Sequence, residues 1–159
     1  MSQSALVKKV QERVLQLAQE IESLSRSEAP PEEFFPKFID RLVRAMGAEA
    51  GAVWMLEEGN RLAVKSEVGL EAIGFRKAPN ALSLNHPLLV DSMSTGQAAV
   101  YVPGESDKEL PTPHQIVVAA LQTGTESVGV VEIFQRSGTP KEARPGYLQF
   151  VEQMCGYAS

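Results

Sequence analysis

The chain has 159 residues, of which 43% are hydrophobic, enough for one domain with a buried core. Its net charge of -5, sequence pI near 5.1 and lack of a basic block argue against a nucleic-acid surface or an anionic-membrane surface. No apolar run reaches the roughly 20 residues that span a bilayer, residues 1–26 are too polar for a signal peptide, and one cysteine, Cys155, excludes an internal disulfide or a cysteine-rich metal site.

Gln3 to Arg26 contains neither Gly nor Pro and places Leu6, Val10, Val14, Leu17, Ile21 and Leu24 at spacings of four, four, three, four and three, a helical stripe close to a heptad seam. Such a helix is roughly 36 Å long, more than one sheet requires, so part of it is expected to pack on a second copy of the chain. Residues 1–26 are therefore read as a helix with a dimerisation seam, and 28–159 as the domain it precedes. Pro30 and Pro31 break this helix. Glu32 and Glu33 then open a second one, whose stripe runs through Phe34 or Phe35, Phe38, Ile39, Leu42, Val43 and Met46 to a stop at Gly47. Pro36 is tolerable only near a helix start.

Ala50 to Leu56 reads as a strand that turns through Glu57–Asn60 and returns as Arg61 to Val68, with Leu62, Val64, Ser66 and Val68 on one face. Gly69 to Leu84 is irregular, with Ala81 to Leu84 a candidate short strand, and is the segment best placed to close over a ligand. A helix is expected from Asn85 or His86, with Pro87 in its first turn and Gly96 as its stop. The strand Ala98–Val102 follows, then a polar loop to Pro113. Ile116–Leu121 and Val128–Phe134 form a hairpin joined by Gln122–Ser127. The consecutive apolar residues Val117 to Leu121, and Val130 with Val131, imply that both faces of this hairpin are covered. A last helix spans Glu142–Ser159, with Tyr147, Phe150, Val151, Met154 and Ala158 on one side. It has no stop signal, so an effector domain is expected beyond it.

Three phrases, EEFFPKFIDRLVRAMGAEAGAVWML, NHPLLVDSMSTGQAAVYV and VGVVEIFQR, resemble the entry helix and first strand, the "hpl…tG.p..v" helix and strand, and the "Gvlel.n" strand of GAF domains, the sensory modules related to PAS domains. The resemblance spans most of residues 28–159. It implies an α+β fold: an antiparallel sheet of about five or six strands, terminal helices on one face, and a small-molecule pocket under a helix and loops on the other. Bilin-binding members use a pocket cysteine and sulfoxide-reducing members several, whereas Cys155 lies on the terminal helix. The Asn-Lys, Phe and Asp-Glu constellation of cyclic-nucleotide-binding members is not found at the corresponding places.

The residues proposed to contact a ligand are Trp54, Ser66, His86, Leu89, Tyr101 and His114. Trp54 and Tyr101 also suit a core, His86 and His114 suit capping and surface solvation, and Asp91 suits a solvated helix face. No nucleophile–base set, metal cluster or phosphate-cradling loop is recognisable, so no catalytic or metal residue is assigned and no cofactor is identified. Two roles follow: a cytoplasmic, homodimeric sensor that relays the state of an unidentified small molecule through its terminal helices, or a dimerisation scaffold that binds none.

Overall fold

The expected double coverage of the hairpin is met by two separate apolar layers, one on each face of a single antiparallel sheet. The computed structural model describes residues 3–77 and 80–158, with side chains from residue 8 onward. Its strands are β1 (Ala50–Glu57), β2 (Arg61–Val68), β3 (Ala99–Tyr101), β4 (Gln115–Thr123) and β5 (Glu126–Gln135), in the order β2-β1-β5-β4-β3. Because neighbouring side chains point to opposite faces, Val117, Ala119, Leu121, Val131 and Ile133 enter one core, and Ile116, Val118, Val130 and Phe134 the other.

The first core is closed by three helices, α1 (Gln3–Arg26), α2 (Pro31–Ala45) and the last helix of the chain. The apolar face of α2 supplies Phe34, Phe35, Phe38, Ile39, Leu42 and Val43, with the rings of Phe34 and Phe38 stacked at 5.5 Å. The helix lies close on β1 because Gly51 has no side chain: a Cβ there would stand 2.6 Å from Val43 Cγ2. Pro36 is the sixth residue of α2 and removes only the bond to the Glu32 carbonyl in the first turn. On α1, Leu17 and Ile21 are fully buried against this layer, whereas Val10 is 57% exposed. The side chain of Leu6 lies outside the described residues.

The second face is covered by α3 (Ala81–Thr95), which starts earlier than expected. Ala81 to Leu84 is therefore helix and not strand, for a packing reason: Ala81 is 2% exposed and belongs to the second core, and the Leu84 amide already donates to the Asn80 carbonyl at 2.9 Å. Pro87 consequently falls inside the helix, where it removes the bond to the Ser83 carbonyl. Gly96, at φ +69, ends the helix as expected. The segment before α3 is less loose than its sequence suggests, since Leu70 and Phe75 are each 1% exposed within the second core. Pro79 lies outside the described residues.

Three further boundaries move. The β4–β5 turn narrows to Gly124 and Thr125 between paired Thr123 and Glu126, with Gly124 at φ +66, the pattern of a turn whose first central residue favours glycine. The last helix, α4 (Arg144–Ala158), begins after a short 3-10 turn at Lys141–Ala143. In β2 an extra residue, Lys65, interrupts the register between Val53–Ser66 and Trp54–Val64. Leu62 and Val64 pack on the second core, but Val68 packs on the first, so the four residues expected on one face divide between two.

Candidate functional site

A charged residue sits where the apolar pattern of β5 leaves no room for one. Glu132 shares a face with Val130 and Phe134, pairs across the ladder with Ala52 and Val118, and is 0% exposed beneath α3. Two neutral donors reach its Oε1: Trp54 Nε1 from β1 at 3.0 Å, and Asn85 Nδ2 from α3 at 2.9 Å. Burial raises the carboxyl pKa to about 8, against the pull of the Asn85 and Trp54 hydrogen bonds. Glu132 is thus protonated at pH 7. With both donors on Oε1, the second oxygen, Oε2, has no hydrogen-bond partner among the described residues, and neither has Asn85 Oδ1.

Aromatic rings surround this acid. Phe134 lies two residues along β5 on the same face. Phe75, from the β2–α3 connection, packs on Phe134 with centroids 5.7 Å apart and on Trp54 at 6.5 Å. Leu70, Leu88 and Leu89 complete the apolar wall.

Farther along the same face, between α3 and the tips of both hairpins, an open groove of about 540 Å³ is lined by Leu56, Leu62, His86, Val90, Met93 and Glu126. Leu56 and Val90 expose 37% and 38% of their surface there. Strand alternation puts Leu56 and Trp54 on one face of β1, so the indole stands between the groove and Glu132.

Of the expected ligand contacts, Trp54 and Leu89 lie in the second core, His86 lines the groove, and Tyr101 is half-buried against the core from β3. Burial raises the Tyr101 phenol pKa, with Lys108 opposing. His114 closes the far end, its ring edge-on to Phe134 at 6.3 Å and its Nε2 3.6 Å from Glu49 Oε1. Ser66 stands apart: past the bulge at Lys65 it pairs with Val53, a residue of the first core, on the side away from Trp54. Of the residues at the centre of the site, Asn85 and Glu132 fall inside the phrases NHPLLVDSMSTGQAAVYV and VGVVEIFQR, which by themselves assign neither a ligand contact, and Phe75 falls in none. The one available signal is the lone acid inside VGVVEIFQ, a strand whose other residues imply cover on both faces.

Cys155 belongs to the first core, on the opposite side of the sheet, where burial pushes its thiol up to about 12. Among the described residues no group of three or more His, Cys, Asp or Glu is placed to hold a metal ion. No helix of the described residues is long and apolar enough to cross a membrane.

A family model described as GAF domain matches residues 31–159. Among solved structures, the A. aeolicus nlh2 GAF domain in an inactive state is similar at 16% identity and TM-score 0.67, with 94% of each chain covered. The GAF domain of a phosphoenolpyruvate-protein phosphotransferase from Coxiella burnetii is similar at 12% identity and TM-score 0.63, over 92% of this chain and 93% of that one. Free methionine-R-sulfoxide reductase from Neisseria meningitidis, solved in complex with its substrate, is similar at 12% identity and TM-score 0.66, over 91% of this chain and 84% of that one. Comparison with curated protein sequences finds no match.

Proposed function

This chain belongs to the GAF domain family, and from that premise we propose that it is a regulatory domain sensing a small molecule on the α3 side of its sheet. The observation that carries the reading is the polar centre under α3. Asn85 Oδ1 and Glu132 Oε2 are buried without partners among the described residues, and leaving one such group unpaired costs about 1–3 kcal/mol. In a domain whose whole stability is typically about 5–15 kcal/mol, two of them are a substantial burden, and a polar ligand group would relieve it. The substrate-bound reductase supports a small-molecule role for the fold, but its chemistry does not carry over, since Cys155 is buried on the other face with a thiol poorly suited to ionise. Native mass spectrometry of the intact, gently purified protein tests the reading: a copurified small molecule released on denaturation is expected.

A second reading, a dimerisation scaffold, is favoured by a different observation. On α1, Val10 and Leu15 expose 57% and 59% of their surface beside an apolar groove of about 390 Å³ shared with Phe150 and Met154 of α4. In this reading a second copy of the chain packs along α1 and α4, and in the sensor reading the same helices relay occupancy. Deleting residues 1–26 is expected to halve the mass measured by light scattering. An intact chain that is already monomeric at high concentration rules the dimer out.

A further inference from the structure

We infer that the centre under α3 is a site for a primary alkylammonium ion, whose head binds between Glu132 and Asn85 and whose chain takes the place of the Phe75 ring. The inference rests on the small-molecule reading above and gives it a ligand class.

The argument starts from what the centre offers. Both orphaned atoms, Glu132 Oε2 and Asn85 Oδ1, belong to side chains at most 1% exposed, and the side chains reach each other through the 2.9 Å bond from Asn85 Nδ2 to Glu132 Oε1. The amide is oriented by that bond, so its oxygen is an acceptor. The carboxylate oxygen becomes one when Glu132 ionises. A primary ammonium carries three donors on one compact cation and engages both acceptors, in charge-assisted bonds about twice as strong as neutral ones.

Trp54 and Phe134, the rings that stay when Phe75 is displaced, flank the centre, and an aromatic ring attracts a cation placed over its face. The π faces of the same rings disfavour an anion. A neutral alcohol gains only what any hydrogen bond supplies. A divalent metal finds one carboxylate among rings and aliphatic side chains, too few ligands to replace its water.

Space comes from Phe75. Trp54 and Phe134 are carried by strands, but Phe75 comes from the connection between β2 and α3, directly after Gly74. Gly74 has φ +74 and open space where a Cβ would stand, while turn hydrogen bonds run from its amide to the Glu71 carbonyl and from the Lys77 amide to its own carbonyl. Phe75 is thus the one ring of the three whose displacement leaves the strand pairing intact, and in the proposed complex a short alkyl chain of similar bulk replaces its contacts with Trp54 and Phe134. The chain then extends past Trp54 toward the groove at Leu56 and Val90.

Binding has a proton consequence. Glu132 is protonated at pH 7 and must ionise to pair with the cation, so close to one proton leaves for each amine bound. Other titratable groups on the surrounding elements include His86 and Asp91 on α3, Tyr101 on β3, Lys108 and His114 in the β3–β4 connection, Glu49 before β1, Glu57 on β1, Arg61, Lys65 and Glu67 on β2, Arg76 beside Phe75 and Glu126 on β5. A Glu132→Gln control separates its proton from theirs.

The test is isothermal titration of the full chain with n-pentylamine, 1-pentanol and pentyltrimethylammonium in two buffers of different ionisation enthalpy. Fluorescence of Trp54, the chain's single tryptophan, is followed in parallel. The amine is expected to bind with release of about one proton and a change in indole emission, the alcohol and the quaternary ion at least about tenfold more weakly. Glu132→Gln keeps the shape and the neutral state of the native side chain, so it is expected to fold, to lose the proton release and to weaken amine binding by about tenfold or more. Phe75→Ala, if it folds, is expected to bind the amine more tightly. Equal binding of alcohol and amine, or amine binding indifferent to Glu132→Gln, overturns the ammonium site and leaves the small-molecule reading standing. Absence of binding by all three probes, with no copurified ligand, overturns both.

Discussion

The two faces of the sheet are built from the same strands yet differ in kind. On the face under α1, α2 and α4 the buried side chains are apolar, from the Phe34–Phe38 stack to Met154, except for Gln115 and Gln135 at one end, whose amides bond to each other and to the Met46 carbonyl, and Gly51 lets α2 sit directly on β1. On the α3 face a buried acid and its two neutral donors interrupt the apolar layer, and an open groove runs along its edge. The lesson is a division of labour: one face supplies stability, and the other spends part of it on polar atoms that packing alone does not need.

Polar substitution within the sheet is the harshest way to break that contrast. Val131→Asp buries a carboxyl without a partner, and Val118→Asp sets a second buried carboxyl directly opposite Glu132, each at a position 0% exposed. The cost is several kcal/mol, up to about 7, comparable with the whole stability of many domains. Neither variant is expected to melt cooperatively. A soluble, cooperatively melting Val131→Asp protein means that the first face is not the closed layer described here.

Changing the acid already present acts in the opposite direction. Burial pushes the Glu132 carboxyl up to about 8 in the folded chain, from an ordinary value of 4.5. Below pH 4.5 both states hold the proton and the residue has no effect. Between 4.5 and 8 only the folded state holds it, and each pH unit costs about 1.4 kcal/mol of stability. Above 8 the loss levels off. Glu132→Gln removes this dependence, so the variant is expected to be the more stable protein at pH 7, by about 3 kcal/mol, and the two are expected to converge toward pH 4.5. Urea denaturation at a series of pH values measures the difference, and parallel curves for the two proteins refute the buried, protonated acid.

The legibility of the two faces differs in the same way. The apolar face could be read from residues because its signals are periodic: the stripe from Phe38 to Met46 between Pro31 and Gly47, and the runs VVAAL and VV that imply cover on both sides of β4 and β5. The α3 face depends on features without a period. Pro87 resembles a first-turn proline, but the anchoring of Ala81 under the sheet starts α3 four or five residues before the expected Asn85 or His86. One inserted residue, Lys65, moves Ser66 to the other face, and no pattern in β2 announces it. Glu132 reads as an ordinary strand acid until α3 is known to lie over it. Tertiary packing decided each of these, and local sequence does not encode it.

The smallest effects sharpen the comparison within α3 itself, which carries two polar contacts of different burial. Asn85 points inward to Glu132 in a fully buried bond, whereas Asp91 faces outward and pairs with Lys108 of the β3–β4 connection, with 52% and 35% of the two side chains exposed. Water competes for the outer pair and holding Lys108 in place costs side-chain entropy, so Lys108→Ala is expected to cost at most about 1 kcal/mol, less at high salt where the attraction is screened. Asn85→Ala removes a donor that water cannot replace without entering the core. Its expected cost is about 1–3 kcal/mol and insensitive to salt, because the bond joins an amide to a carboxyl that is neutral at pH 7. Thermal melts of both variants at low and high salt measure the contrast. If Asn85→Ala is as mild as Lys108→Ala and equally salt-dependent, the centre under α3 is wet, and its polar atoms are already satisfied without a ligand.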